Sequence, residues 1–135
     1  MTPTYDDGQW TLMQRTRSLD NNWVPERFDV IVVWSEDLKT KLCKRVIGLP
    51  GETIEIIEGQ IFIDGKQLSD SFGKGYMVYR NFIDPKTEQS WFKEYDNIKS
   101  EVVREGEVWV IGDNREDSHF GHFPINEIRG KIILY

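Results

Sequence analysis

Apolar residues along this 135-residue chain come in short runs and loose alternation, and almost nowhere at helical spacing. Residues 10–16 alternate loosely and predict a strand, whereas 17–26, with Asn21, Asn22 and Pro25, read as a loop. Asp29-Val30-Ile31-Val32-Val33-Trp34 is a β-branched run, the pattern of a strand buried on both faces. A further strand lies between Leu38 and Leu49. It must end at Gly48-Leu49-Pro50-Gly51, because Pro50 has no N–H to donate and Gly51 tolerates positive φ.

Thr53–Ile57 and Gln60–Ile63 flank Glu58-Gly59 and predict a hairpin, with Asp64-Gly65 offering a second tight turn. Residues 69–75 read as a loop and 76–83 as a strand; 84–101 are polar with scattered aromatics and carry no clear period. Glu107–Ile111 predicts a strand running into Gly112-Asp113-Asn114, and Glu127–Tyr135 a last strand with Gly130 as a bulge. The sum is a mostly β, antiparallel sheet domain with little helix, one domain over residues 1–135, with 70–103 as its least supported part and a candidate insertion.

Composition narrows this picture. Hydrophobic residues at 39% and charged residues at 30% suit a globular chain, and five Trp, five Tyr and seven Phe favour pleated surfaces. Seventeen Lys and Arg against 23 Asp and Glu leave a net charge of −6, with no basic run, which argues against a nucleic-acid partner. The single cysteine, Cys43, excludes an internal disulfide and a cysteine-cluster metal site. His119 and His122, without adjacent carboxylates or cysteines, make no metal site, so no metal and no cofactor are expected. No stretch approaches the roughly 18 apolar residues of a membrane-spanning helix.

The candidate chemistry begins at Lys44. It stands in an apolar strand pattern, after Leu42 and Cys43 and before Arg45-Val46-Ile47. A lysine works as a general base only when neutral, and apolar surroundings favour that form. Strand alternation sends Lys44 and Arg45 to opposite faces. A lone strand lysine is ordinarily a solvated surface group; three blocks taken together raise this one to a candidate.

Those blocks are Met1-Thr2-Pro3-Thr4, Lys44-Arg45-Val46-Ile47-Gly48-Leu49-Pro50-Gly51, and Gly112-Asp113-Asn114-Arg115-Glu116-Asp117-Ser118. In this order they resemble the bacterial type I signal peptidases, which are Ser/Lys endopeptidases. Arg27-Phe28-Asp29 resembles that family's Arg-Gly-Asp segment, with Phe28 in the glycine place, and Ile61-Phe62-Ile63-Asp64-Gly65-Lys66 resembles its Leu-Tyr-Ile-Asn-Gly-Lys hairpin.

The resemblance implies a coiled antiparallel β-sheet domain of the Ser/Lys peptidase type and cleavage of signal peptides from exported preproteins. It implies Lys44 as general base, Ser118 orienting it, and Asp113 paired with Arg45 as structural support. Met1, Val32, Leu42 and Cys43 fall where shallow substrate pockets lie, and such pockets reject large side chains by clash. The nucleophilic serine is expected immediately before Met1, so the chain as written is expected to be soluble and inactive. The full-length protein is expected at the extracytoplasmic face of the cell membrane through an N-terminal anchor. Thr2 and Thr4 are near that place, but a hydroxyl two residues late is displaced by several ångströms. The family's Asp-Ser-Arg triplet after the second serine is replaced here by His119-Phe120-Gly121. Two other readings share these residues: a non-catalytic relative that binds or assembles secreted or surface proteins, and a self-cleaving repressor, which would need a DNA-binding domain this chain does not display.

Overall fold

The structure is a computed structural model that describes residues 4–6, 8–16, 22–36, 38–74, 78–83, 90–94 and 98–134. Among the described residues, twelve strands, all paired antiparallel, make three sheets. They are β1 (Leu12–Arg15), β2 (Val30–Ser35), β3 (Thr40–Gly48), β4 (Thr53–Ile57), β5 (Gln60–Ile63), β6 (Lys66–Gln67), β7 (Val78–Ile83), β8 (Ser90–Glu94), β9 (Ile98–Val102), β10 (Glu107–Ile111), β11 (Gly121–Pro124) and β12 (Gly130–Leu134). The main sheet has the order β1-β12-β2-β3-β10-β11, the second β6-β5-β4-β9, and β7-β8 form a two-stranded ribbon.

The β-branched run of β2 is buried on both faces because the main sheet is covered on both. Ile31 and Val33 pack with Val46, Val108, Val110 and Ile128 on one side; Val30 and Val32 pack with Tyr5 and Ile132 on the other. A third apolar cluster joins the two larger sheets through Ile47, Trp109 and Ile111 of the first and Ile54, Ile56, Ile61 and Ile63 of the second. Burial of this kind is the principal stabilising term for a β domain of this size.

The turns follow their sequence signals. Glu58 and Gly59 have φ of 49° and 74°, and Asp64 and Gly65 have 50° and 77°, so both two-residue connections use the doubly left-handed geometry that matches strand twist. Gly51, at φ 87°, turns the chain out of β3. That turn is fixed by Arg27, which donates to both carboxylate oxygens of Glu52 (2.9 and 2.5 Å) and to the Ile47 carbonyl (2.6 Å).

Several elements differ from the sequence reading. Residues 125–127 form a 3-10 turn, so the last strand starts at Gly130, not at Glu127. Gly130 is no bulge; it pairs with Arg15 and Val32, and the irregularity lies between Leu12 and Met13. Glycine is needed there because a Cβ would press into the Met13 side chain and the Gln14 carbonyl. The span 84–101, which shows no period, contains β8 and the start of β9, and β9 completes the second sheet against β4. Gly121-His122-Phe123-Pro124, to which the sequence pattern assigns no element, pairs along β10 as β11.

Candidate active site

Strand alternation divides the work of Lys44 and Arg45. Register places Lys44 opposite Ile31 and Arg45 opposite Val30, which lie on different faces of the sheet. Lys44 is half-buried and Arg45 is buried.

Arg45 is a structural anchor. Its Nε donates to Asp113 Oδ1 at 2.8 Å and its Nη2 to Oδ2 at 2.7 Å, with the two side chains 4% and 0% exposed. Its Nη1 donates to the Phe28 carbonyl at 2.8 Å, and the guanidinium lies 3.8 Å above the Phe72 ring centroid. Two-point pairing plus a carbonyl and an aromatic face is what a charge needs when it leaves water. The Thr4 hydroxyl also donates to Asp113 Oδ2. Thr4 is therefore tied to the structural pair and is not placed as a substitute nucleophile.

Lys44 reaches the loop that follows β10. Its Nζ is 3.0 Å from Ser118 Oγ and 2.8 Å from the His119 carbonyl oxygen. Ser118, 8% exposed, also accepts the Gly112 N–H at 2.6 Å. A Cβ on Gly112 would overlap the Ser118 hydroxyl and stand 3.8 Å from Lys44 Nζ, so only glycine permits this approach. The serine is thus held by the backbone and presents its oxygen to the lysine.

The Gly112–Ser118 loop has its own support, which the sequence reading missed. Arg115, 7% exposed, donates from Nε to the Gly112 carbonyl at 3.2 Å and from Nη2 to Asp70 Oδ2. Asp70 Oδ1 accepts the N–H groups of Phe72 and Gly73 at 3.0 and 3.2 Å. Lys74 donates its N–H to the Asp113 carbonyl and accepts that of Arg115, each at 2.9 Å. Burial alone would push the Asp70 carboxyl up; Arg115 and the two backbone donors outweigh it and hold the group below its ordinary range. The 45 residues between Asp70 and Arg115 hide this partnership from any local pattern.

Of the four candidate pocket residues, Met1 lies outside the described residues. Val32 and Cys43 face each other across β2 and β3, beside Tyr5 and Met13. Burial pushes the Cys43 thiol up, away from a reactive thiolate. Leu42 points the other way, sharing with Lys44 a cleft of about 190 Å³ also lined by Val33, Val110, Phe120 and Phe123. A larger cavity of about 750 Å³, around Trp23, Pro50 and Ile125, contains none of the candidate residues. His122 does have carboxylates in space, Glu101 and Glu107, each at 3.4 Å. Among the described residues no group of three metal-ligating side chains forms, and no helix is long and apolar enough to cross a membrane.

Known proteins resemble this chain in sequence and in fold. The family model described as "Signal peptidase, peptidase S26" matches residues 1–135. Signal peptidase I V of Bacillus subtilis strain 168 is 33% identical over 131 residues, covering 94% of this chain and 73% of that protein. Signal peptidase I of Bacillus caldolyticus is 32% identical over 136 residues, covering 98% and 71%. The crystal structure of a signal peptidase I from Enterococcus faecalis V583 superposes with a TM-score of 0.57 at 25% identity, covering 82% of this chain and 98% of that one. A mostly β, antiparallel architecture is therefore shared with that signal peptidase I structure. The chain belongs to the S26 family of signal peptidases.

Proposed function

We propose that this protein cleaves the signal peptides of exported preproteins at the extracytoplasmic face of the membrane, with Lys44 as general base. The observation that carries the reading is the placement of Lys44 Nζ between Ser118 Oγ and the His119 carbonyl. A neutral amine that donates one hydrogen to each of these acceptors has its lone pair to take a proton with. The nucleophile in this reading is a serine hydroxyl at the position preceding Met1, where the family resemblance puts it. The Thr4–Asp113 contact is consistent with that position, since four residues span at most about 14 Å.

Serine oxygen attacks the scissile carbonyl carbon while its proton passes to Lys44. The tetrahedral adduct collapses, the C–N bond breaks, and the lysine returns the proton to the departing amine. Water then attacks the ester, again losing its proton to Lys44; the bond from the carbonyl carbon to the serine oxygen breaks, the lysine returns the proton to that oxygen, and the acid is released. Ser118 orients the amine throughout. Leu42, in the cleft that Lys44 enters, supplies apolar surroundings that favour small side chains before the cleaved bond, while Val32 and Cys43 lie on the opposite face of the sheet.

The test uses the chain extended so that serine precedes Met1, and a peptide with alanine at the first and third positions before the bond. Cleavage is expected, falling about 100-fold or more in Lys44→Ala, the scale of a lost general base. Undiminished turnover in that variant would overturn the assignment.

A further inference from the structure

The family's Asp-Ser-Arg triplet is absent after Ser118, yet the loop carrying Ser118 is held by buried charge from elsewhere. We propose that Asp70 and Arg115 are the positioning pair of this site: Asp70 fixes Arg115, Arg115 fixes Gly112, and Gly112 fixes the serine that orients Lys44. The inference rests on reading Lys44 as the base.

Each link is a contact between buried or half-buried groups. Arg115 Nη2 donates to Asp70, its Nε to the Gly112 carbonyl at 3.2 Å, and the Gly112 N–H to Ser118 Oγ at 2.6 Å, 3.0 Å from Lys44 Nζ. Gly112 is thus gripped at its carbonyl by one residue and offers its N–H to the other. Asp70 cannot turn away, because Phe72 and Gly73 donate to its second oxygen. Arg115 has no room to move either, since a Cβ on Gly73 would stand within 2.7 Å of its Nε. The same short loop supplies Phe72 beneath Arg45 and Lys74 against the backbone of Asp113 and Arg115. Residues 70–74 therefore brace both halves of the Lys44-Arg45 pair, on opposite faces of β3. The pair acts through Gly112 and Ser118, not on substrate, so it positions and does not catalyse.

The experiment follows the Lys44 side chain itself, by NMR titration of the 135-residue chain labelled with ¹³C-lysine, and needs no nucleophile. His119 and His122 line the same cleft, which is why the lysine resonance and not a rate is read. Ser118→Ala sets the reference for a lysine that has lost its partner. In Asp70→Asn, with an unchanged circular dichroism spectrum, the Lys44 midpoint is expected to move most of the way to that reference, by about half a pH unit or more, and Asp70→Glu to restore it. Arg115→Lys keeps the buried charge and removes the Nε donor to Gly112. It is expected to shift Lys44 equally and carries the test if Asp70→Asn does not fold. A wild-type midpoint in Arg115→Lys, with Ser118→Ala displaced, overturns the positioning role and leaves the base assignment standing. A midpoint unmoved by Ser118→Ala overturns the Lys44–Ser118 reading itself.

Discussion

Lys44 and Arg45 are consecutive on β3 and are held by residues of one loop from opposite faces of the sheet: Ser118 meets the lysine at 3.0 Å and Asp113 the arginine at 2.7 Å. The buried ion pair thereby fixes the strand at the residue next to the amine, so structural and chemical groups share a register and cannot drift apart by more than the flexibility of one peptide unit.

Asp113→Ala is expected to destabilise the fold by about 3–5 kcal/mol, because it leaves a buried guanidinium without its carboxylate. Urea unfolding followed by tryptophan fluorescence measures this. A cost below about 1 kcal/mol, the range of exposed ion pairs, would show that Arg45 is not confined as described.

Gly112→Ala places a methyl group where the Ser118 hydroxyl sits, so the serine must leave its backbone donor. In the serine-extended chain, cleavage is expected to fall at least about 10-fold with little change in KM, since misplacement by about 1 Å at a positioning group costs rate. An equal loss in Gly112→Ala and Ser118→Ala, with no further loss in the double variant, would place both changes on one path.

The Asp70 carboxyl is held below its ordinary 3.8 by Arg115 and two backbone donors, against the upward push of burial. A depressed folded-state value stabilises the protein above the unfolded value, and the gain disappears as pH falls through the folded value. The difference in melting temperature between the wild type and Asp70→Asn is therefore expected to be full at pH 7 and to shrink steadily below about pH 4. A difference independent of pH would mean that the carboxylate charge contributes nothing there.

The strands with a clean signal were legible from the chain alone: the β-branched run of β2, the hairpin at Glu58-Gly59, and the stop at Pro50-Gly51 each follow from local chemistry. So was the division between Lys44 and Arg45, which needs only the period of two. β11 was not, because glycine, histidine and proline weaken a strand that exists by pairing with β10. Asp70 and Phe72 were hidden for a related reason. Their loop has no regular structure, and their partners, Arg115 and Arg45, lie 45 and 27 positions away. The three sequence blocks pointed to Lys44, Ser118 and the Arg45–Asp113 pair and left out Asp70 and Phe72, which brace them.

Phe28 offers a test whose sign runs against ordinary expectation. It occupies the place of a glycine in the related Arg-Gly-Asp segment and adopts φ of 71°, a conformation that costs a side-chain-bearing residue about 1–2 kcal/mol. Three contacts offset that cost. Its ring packs against Phe72 at 5.4 Å and against the cluster around Ile47 and Trp109, and its carbonyl accepts from Arg45. Phe28→Ala removes the ring and keeps the strained φ, whereas Phe28→Gly removes both. In most positions glycine is the less stable of the two by about 0.5–1 kcal/mol, through its greater freedom when unfolded. Here the glycine variant is expected to be the more stable, by about 1 kcal/mol, in paired thermal or urea denaturation. The reverse order would mean that the backbone at Phe28 relaxes once the ring is gone, and that the turn feeding β2 and the Arg45 anchor is held by packing alone.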